Sequence, residues 1–357
     1  MLLFQALSMA LGLALLTAGA EGLVRGASRL ARALGIPSLV IGLTIVAFGT
    51  SAPEIAVSVR SSMSGQGDLA LGNVVGSNIF NVLFILGASA LVAPLVVARQ
   101  LIRLDVPVMI GASVLCWLLA RDGTVSRTDG LLLVGLLAAY TALQVVIGRR
   151  DRTELESQPE KAERGGAAAA KNIAFALGGL VLLVAGARFL VNAAVELARA
   201  LGVSELVIGL TIVAAGTSLP EVATSIMASL RGERDIAIGN VVGSNLMNIL
   251  GVLGFSALSA TAPLAASATL VQVDMPVMIA VAVACAPLFV TGADITRWEG
   301  GLLLSWYVLY TGYLVLQASG SAWAAPFVSL KLYVLLPMTA LVLAVSLVRH
   351  LRRRAEA

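Results

Sequence analysis

Polar residues are sparse along this chain and fall in short blocks. Between them run apolar stretches at about 3–33, 37–64, 68–94, 104–121 and 126–148, then 172–202, 204–231, 235–261, 271–291 and 296–318, with an eleventh at 326–348. A helix crosses the hydrocarbon core of a bilayer with about 17–25 such residues, and these stretches meet that length. The pattern predicts an all-α, multi-pass membrane protein. One long hydrophilic stretch, 149–171, rich in charge plus Gly and Ala, separates five spans from the next five and reads as a flexible linker. The expected organisation is a first five-helix unit over 1–148, the linker over 149–171, a second unit over 172–318, and an extra helix with a basic tail over 319–357.

The two units are copies. Gly42 to Gly87 aligns without gaps to Gly209 to Gly254 with 28 identities in 46 positions, more than shared hydrophobicity produces. The offset is 167 throughout, so Glu54 falls on Glu221, Asp68 on Asp235 and Ser77 on Ser244. The likeness extends outward: Ala31–Gly35 recurs as Ala198–Gly202. With a two-residue slip, Asp105–Ile110 resembles Asp274–Ile279 and Cys116 falls on Cys285.

Five spans per unit is an odd number, so the copies must enter the membrane in opposite orientations. Charge points the same way. Arg149, Arg150, Arg152, Lys161, Arg164 and Lys171 mark the linker as cytoplasmic, which puts the N-terminus outside and, after eleven spans, the basic tail inside. Arg25, Arg29 and Arg32 then lie inside, whereas their copies Asn192, Glu196 and Arg199 lie outside with two positive charges lost. Arg103 inside becomes Gln272 outside, and Ser64 and Gly67 outside become Arg231 and Arg234 inside; Arg60 and Met227 run against the trend.

Composition changes the picture little. The chain is 59% hydrophobic and 12% charged, so its net charge of +4 belongs to loop arginines rather than to a nucleic-acid surface. Cys116 and Cys285 sit inside apolar spans as packing residues, and the single histidine, His350, lies in the basic tail.

The repeated motif carries the chemistry. In Gly49-Thr50-Ser51-Ala52-Pro53-Glu54, Pro53 has no N–H for the Gly49 carbonyl and its ring opens the helix. Gly216-Thr217-Ser218-Leu219-Pro220-Glu221 repeats the break. Freed backbone at membrane depth is tolerated only where it faces a cavity or an ion, and inverted repeats place substrate sites at such breaks. A charge at mid-span costs roughly 2.5–3.5 kcal/mol on the insertion scale. Two mirrored glutamates therefore call for a cation. On the next span Asn73, Ser77 and Asn81 form a polar stripe at four-residue spacing, mirrored by Asn240, Ser244 and Asn248; Gly72/Gly76 and Gly239/Gly243 predict close helix approach. Carboxylates, amides, hydroxyls and carbonyls make an all-oxygen set, suited to hard cations such as Na⁺ and Ca²⁺.

At these residues the chain resembles the cation/calcium exchanger superfamily, in its sodium/calcium exchanger branch of prokaryotic type. GTSAPE and GTSLPE, each followed by GNVVGSN and a further Asn, look like that family's two α-repeats. The resemblance implies ten core helices, alternating access, and exchange of typically three Na⁺ for one Ca²⁺, with no cofactor beyond these transported ions. It implies Glu54, Asn81, Glu221 and Asn248 as the central ligands. Thr50, Ser51, Ser77, Thr217, Ser218 and Ser244 would flank them, with the carbonyls of Ala47 and Ala214. Asn248 stands where the potassium-dependent branch carries an aspartate, which argues against potassium cotransport. The short linker leaves no room for calcium-sensing domains.

Ca²⁺/H⁺ antiport by the same fold stays open, with the two glutamates exchanging protons; the many neutral oxygens favour Na⁺. An intramembrane enzyme is disfavoured, because the only histidine is in the tail and no aspartate pair lies mid-span. Expected partners are inorganic cations and lipid, with no nucleic acid, in a prokaryotic cytoplasmic membrane; the oligomeric state is open. Asp68, Asp105, Asp235 and Asp274 read as helix-end residues near the headgroups, and Glu21 as interfacial.

Overall fold

The computed structural model describes residues 2–155, 166–202, 214–290 and 294–319, with isolated positions 208, 212, 321 and 323. The first half is built from α1 (Leu2–Leu34), α2 (Ser38–Thr50), α3 (Ala52–Met63), α4 (Gly67–Val92), α5 (Leu101–Ala120) and α6 (Arg127–Leu155). The second is built from α7 (Gly166–Ala200), α8 (Ala214–Gly216), α9 (Leu219–Leu230), α10 (Arg234–Ser259), α11 (Leu270–Val290) and α12 (Arg297–Ala318). Seven of these, α1, α4, α5, α6, α7, α10 and α11, are long and apolar enough to cross a membrane, and the bent α2–α3 pair makes an eighth. The 12-residue α9 and the 22-residue α12 occupy the matching places in the second half. The fold is thus an inverted repeat of two five-helix units. The eleventh apolar stretch and positions 156–165 lie outside the described residues. The hydrophilic stretch 149–171 is helical at both ends, since α6 runs on to Leu155 and α7 begins at Gly166.

Two short strand pairs join the halves. β1 (Leu95–Val96) pairs antiparallel with β4 (Asp294–Ile295), and β2 (Thr124–Val125) with β3 (Leu264–Ala265). Exchanging the halves carries Leu95↔Ile295 onto Leu264↔Val125, as an inverted repeat requires. α12 opens on a capping box, in which Glu299 accepts from the Thr296 amide at 2.8 Å.

The helices are not equally sheltered. In α4 and α10, 78% and 89% of the apolar window is buried, against 22–39% in the other continuous spans, so these two form the centre. They are the helices that carry the polar stripes. Gly239 and Gly243 bring α10 against α2: a Cβ at Gly243 would stand 2.6 Å from the Leu43 carbonyl. The mirrored partners of Gly72 and Gly76, at positions 206 and 210, lie outside the described residues.

α1 and α7 pack backbone to backbone. A Cβ at Gly19 would lie 2.6 Å from the Leu183 nitrogen, and one at Gly179 2.4 Å from the Leu23 nitrogen. One end of α1 is also tied to the turn after α9. Glu21 pairs with Arg25 and Arg231, while Glu233 takes the Ser28 hydroxyl and lies 3.5 Å from Arg32. The copies of Glu21 and Arg231 are Arg188 and Ser64, so this clasp has no mirror image.

One placement differs from expectation. Asp105 stands near the start of its helix, as expected, but it is fully buried by protein rather than exposed at the helix end. Its helix starts about a turn earlier than the apolar run, with a π-helical turn over Leu101–Asp105. There it accepts from Tyr140 (2.9 Å), Gln144 (2.6 Å) and Gln100 (3.1 Å). Asp274, its copy, accepts from Tyr310 at 3.0 Å. Asp68 and Asp235 do sit in first helical turns, and Glu21 is the partly exposed ion-pair residue described above.

Candidate cation site

α2 and α3 meet at Ser51 with a bend of 46°, and Pro53 stands in the first turn of α3. Proline is well placed there, because its missing N–H would be unpaired at a helix start in any case. The break is tighter than the sequence suggests. The carbonyls of both Ala47 and Gly49 accept backbone amides at the end of α2, the former from Ser51 at 3.0 Å, so the chain closes the turn rather than leaving a row of free carbonyls. The Ala47 carbonyl keeps its second lone pair. Ser218 breaks the second half in the same backbone conformation, φ −89° and ψ 8° against −79° and 5° at Ser51.

The two breaks place Glu54 and Glu221 in the first turns of α3 and α9. A helix N-terminus carries about half a positive elementary charge, which favours a carboxylate at that position. Both glutamates are buried, at 0% and 1% exposure. Among the described residues no lysine or arginine pairs with either.

Each carboxylate is instead met by the other half. Ser218 donates to Glu54 Oε1 at 2.9 Å, and Ser51 donates to Glu221 Oε1 at 3.2 Å. Ser77 joins the first cluster, its hydroxyl 3.3 Å from that of Ser218. Thr50 lies 3.0 Å from Asn240 Oδ1, and Thr217 lies 3.5 Å from Asn73 Oδ1. Asn81 donates its amide across to Asn245 at 3.0 Å, which leaves its own carbonyl oxygen facing elsewhere.

The remaining oxygens carry the chemistry. Among the described residues, Glu54 Oε2, Glu221 Oε2, Asn81 Oδ1, Asn248 Oδ1 and Ser244 Oγ are buried with no hydrogen-bond partner. All four residues expected at the centre thus hold an unsatisfied oxygen acceptor. Asn78, Ser89, Thr224, Ser256 and Gln5 also have unpartnered polar atoms, so the feature is not confined to the site; both of its carboxylates share it. Buried acceptors cost free energy unless something positive or hydrogen-bonding meets them.

Of the expected ligands, Glu54, Ser77 and Ser218 are directly linked, as are Ser51 and Glu221; Thr50 and Thr217 approach Glu221 and Glu54 and also contact Asn240 and Asn73. Asn248 and Ser244 are buried on α10, Ala47 is buried at the end of α2, and Ala214 opens α8. Sequence reasoning left Asn73, Asn240, Ser58, Ser225 and Asn245 out of the ligand set. The identity of both mirrored pairs, Asn73/Asn240 and Ser58/Ser225, was the available signal.

An inverted repeat of broken helices with acidic, all-oxygen chemistry at its centre defines a membrane transporter for small cations. The chain belongs to the sodium/calcium exchanger protein family, whose model matches residues 4–146 and 171–316. It is 42% identical over 266 residues to the inner membrane protein YrbG of Escherichia coli, covering 72% of this chain and 80% of that one. To the sodium/calcium exchanger MaX1 of Methanosarcina acetivorans it is 34% identical over 338 residues, covering 84% and 95%. Its fold matches a solved structure of the sodium-calcium exchanger NCX_Mj with a TM-score of 0.76 at 31% identity, over 87% of this chain and 98% of that one.

Proposed function

We propose that the protein exchanges Na⁺ for Ca²⁺ by alternating access, at one site shared by Glu54 and Glu221. The observation that carries this reading is the set of unpartnered buried oxygens on Glu54, Glu221, Asn81 and Asn248, flanked by the crossed serine–glutamate bonds. Oxygen donors of mixed charge match Ca²⁺, which takes 6–8 oxygens, and they equally serve smaller sets around Na⁺. Two ionised glutamates balance one Ca²⁺, whereas three Na⁺ would leave one positive charge. Exchange at that ratio is electrogenic. With asparagine at position 248 the site has no third carboxylate, and transport needs no K⁺. The names of the MaX1 and NCX_Mj relatives agree with this substrate pair. The N-terminus lies outside and the C-terminus in the cytoplasm of a prokaryotic cell, with the two repeats at 1–148 and 172–318.

Sealed vesicles loaded with Na⁺ test the driving ion. Calcium-45 uptake is expected to follow an outward Na⁺ gradient, to respond to membrane potential, and to be indifferent to K⁺. Uptake that follows a pH gradient and ignores Na⁺ would replace this reading with Ca²⁺/H⁺ antiport.

A further inference from the structure

Behind each threonine of the site stands an asparagine of the opposite half. Asn240 Nδ2 donates to the Ser225 hydroxyl at 2.9 Å and approaches the Glu221 backbone carbonyl at 3.4 Å. A carbonyl only accepts, so this contact fixes which end of the amide is which. The NH₂ faces α9 and Oδ1 faces α2. Thr50, 3.0 Å from that Oδ1, is therefore the donor. The mirrored arrangement is present: Thr217 lies 3.5 Å from Asn73 Oδ1, and Asn73 Nδ2 donates to Ser58 at 2.9 Å. The offset of 167 carries Thr50–Asn240–Ser225 onto Thr217–Asn73–Ser58.

A hydroxyl has one proton and two lone pairs, and it serves a cation only through the lone pairs. Its proton must be held away from the ion. Besides the Glu221 carboxylate, which the Thr50 hydroxyl also approaches, three acceptors lie within 3.5 Å of it: Asn240 Oδ1 at 3.0 Å, the Val46 carbonyl at 3.1 Å and the Ala47 carbonyl at 3.4 Å. Back-bonding to its own helix is the ordinary habit of a threonine within a helix. At Ala47 that habit would put a proton on a carbonyl of the cation site.

We propose that Asn240 and Asn73 are positioning residues of the cation site: each holds the hydroxyl proton of the other half's threonine, so that the threonine oxygen turns its lone pairs to the ion. Ser225 and Ser58 anchor the far end of each amide. The inference rests on the cation-exchange reading above and adds residues that touch no ion themselves. It also makes the coupling specific, with Thr50 answering to Asn240 and Thr217 to Asn73.

The test is a double-mutant cycle on the purified full-length chain. Cation binding is read from the rise in melting temperature as NaCl replaces choline chloride, which follows the apparent Kd by mass action. Thr50→Val and Asn240→Leu are each expected to weaken Na⁺ binding about three- to ten-fold, the scale of one net hydrogen bond. The double variant is expected to be no weaker than the weaker single one, whereas Thr50→Val combined with Asn73→Leu multiplies. Multiplying effects in the Thr50/Asn240 cycle would overturn the proposal. So would an Asn240→Leu protein that melts lower without Na⁺ but keeps the unsubstituted Kd, since that is a structural role only. If Asn240→Leu does not fold, the Thr217→Val/Asn73→Leu cycle decides on the same criteria. An unsubstituted protein with no Na⁺-dependent shift would overturn the cation reading together with this inference; a normal shift with multiplying effects overturns this inference alone.

Discussion

Ser218, in the second repeat, donates its hydroxyl proton to Glu54 in the first at 2.9 Å, and the mirror-image bond from Ser51 to Glu221 is kept at 3.2 Å. Neither carboxylate completes its surroundings within its own half. The two carboxylates meet their serine donors only where the two broken helices face each other.

Replacing Glu54 or Glu221 with Gln keeps the shape and removes one charge. Each variant is expected to lose calcium-45 uptake in vesicles while eluting as a monodisperse protein. Retained uptake in either would remove that residue from the site.

The crossed serines make a symmetric pair of predictions. Ser51→Ala and Ser218→Ala each remove a hydrogen bond to a charged acceptor, on the order of 1.5–3 kcal/mol where burial is complete. The half-saturating Na⁺ concentration for exchange is expected to rise roughly ten-fold or more in both. A large effect in one and none in the other would contradict the mirrored arrangement.

Asp105 is buried but lies outside the site, on α5, held by Tyr140, Gln144 and Gln100. Asp105→Leu leaves those donors unpaired at a cost of roughly 1–3 kcal/mol. Thermal unfolding is expected at lower temperature with the Na⁺-dependent shift unchanged. A weakened Na⁺ shift would bring Asp105 into the ion's path.

The α1–α7 contact admits a simple probe. A Cβ at Gly19 would stand 2.6 Å from the Leu183 nitrogen, whereas Gly178 has nothing within 4 Å among the described residues. Gly19→Ala must move backbone and is expected to lower the melting temperature, at a cost of about 1–3 kcal/mol. Gly178→Ala is expected to be neutral or to gain up to about 1 kcal/mol of helix propensity. Equal melting temperatures would show that the helices separate freely.

Much of this was legible in the sequence, for a definite reason. The offset of 167 fixed the repeat, and proline next to glutamate fixed both the break and the buried charge, because these follow from local covalent chemistry and from spacing. Which residue of one half meets which of the other was not legible: Ser218 lies 164 positions from Glu54, and nothing local distinguishes it from Ser51. The full burial of Asp105 was not legible because its helix begins about a turn before the apolar run and two of its three partners, Tyr140 and Gln144, come from α6. The seven-residue spacing of Gly12, Gly19 and Gly26, with Gly179 and Gly186 at the repeat offset, could have announced the α1–α7 contact.

The central claim is one cation site made from both halves, and the most direct measurement is equilibrium Ca²⁺ binding to the purified protein and its glutamate variants. One Ca²⁺ per chain is expected, displaced by Na⁺ and lost alike in Glu54→Gln and Glu221→Gln. Two Ca²⁺ per chain, with one surviving in each single variant, would mean separate sites in the two halves and would contradict it.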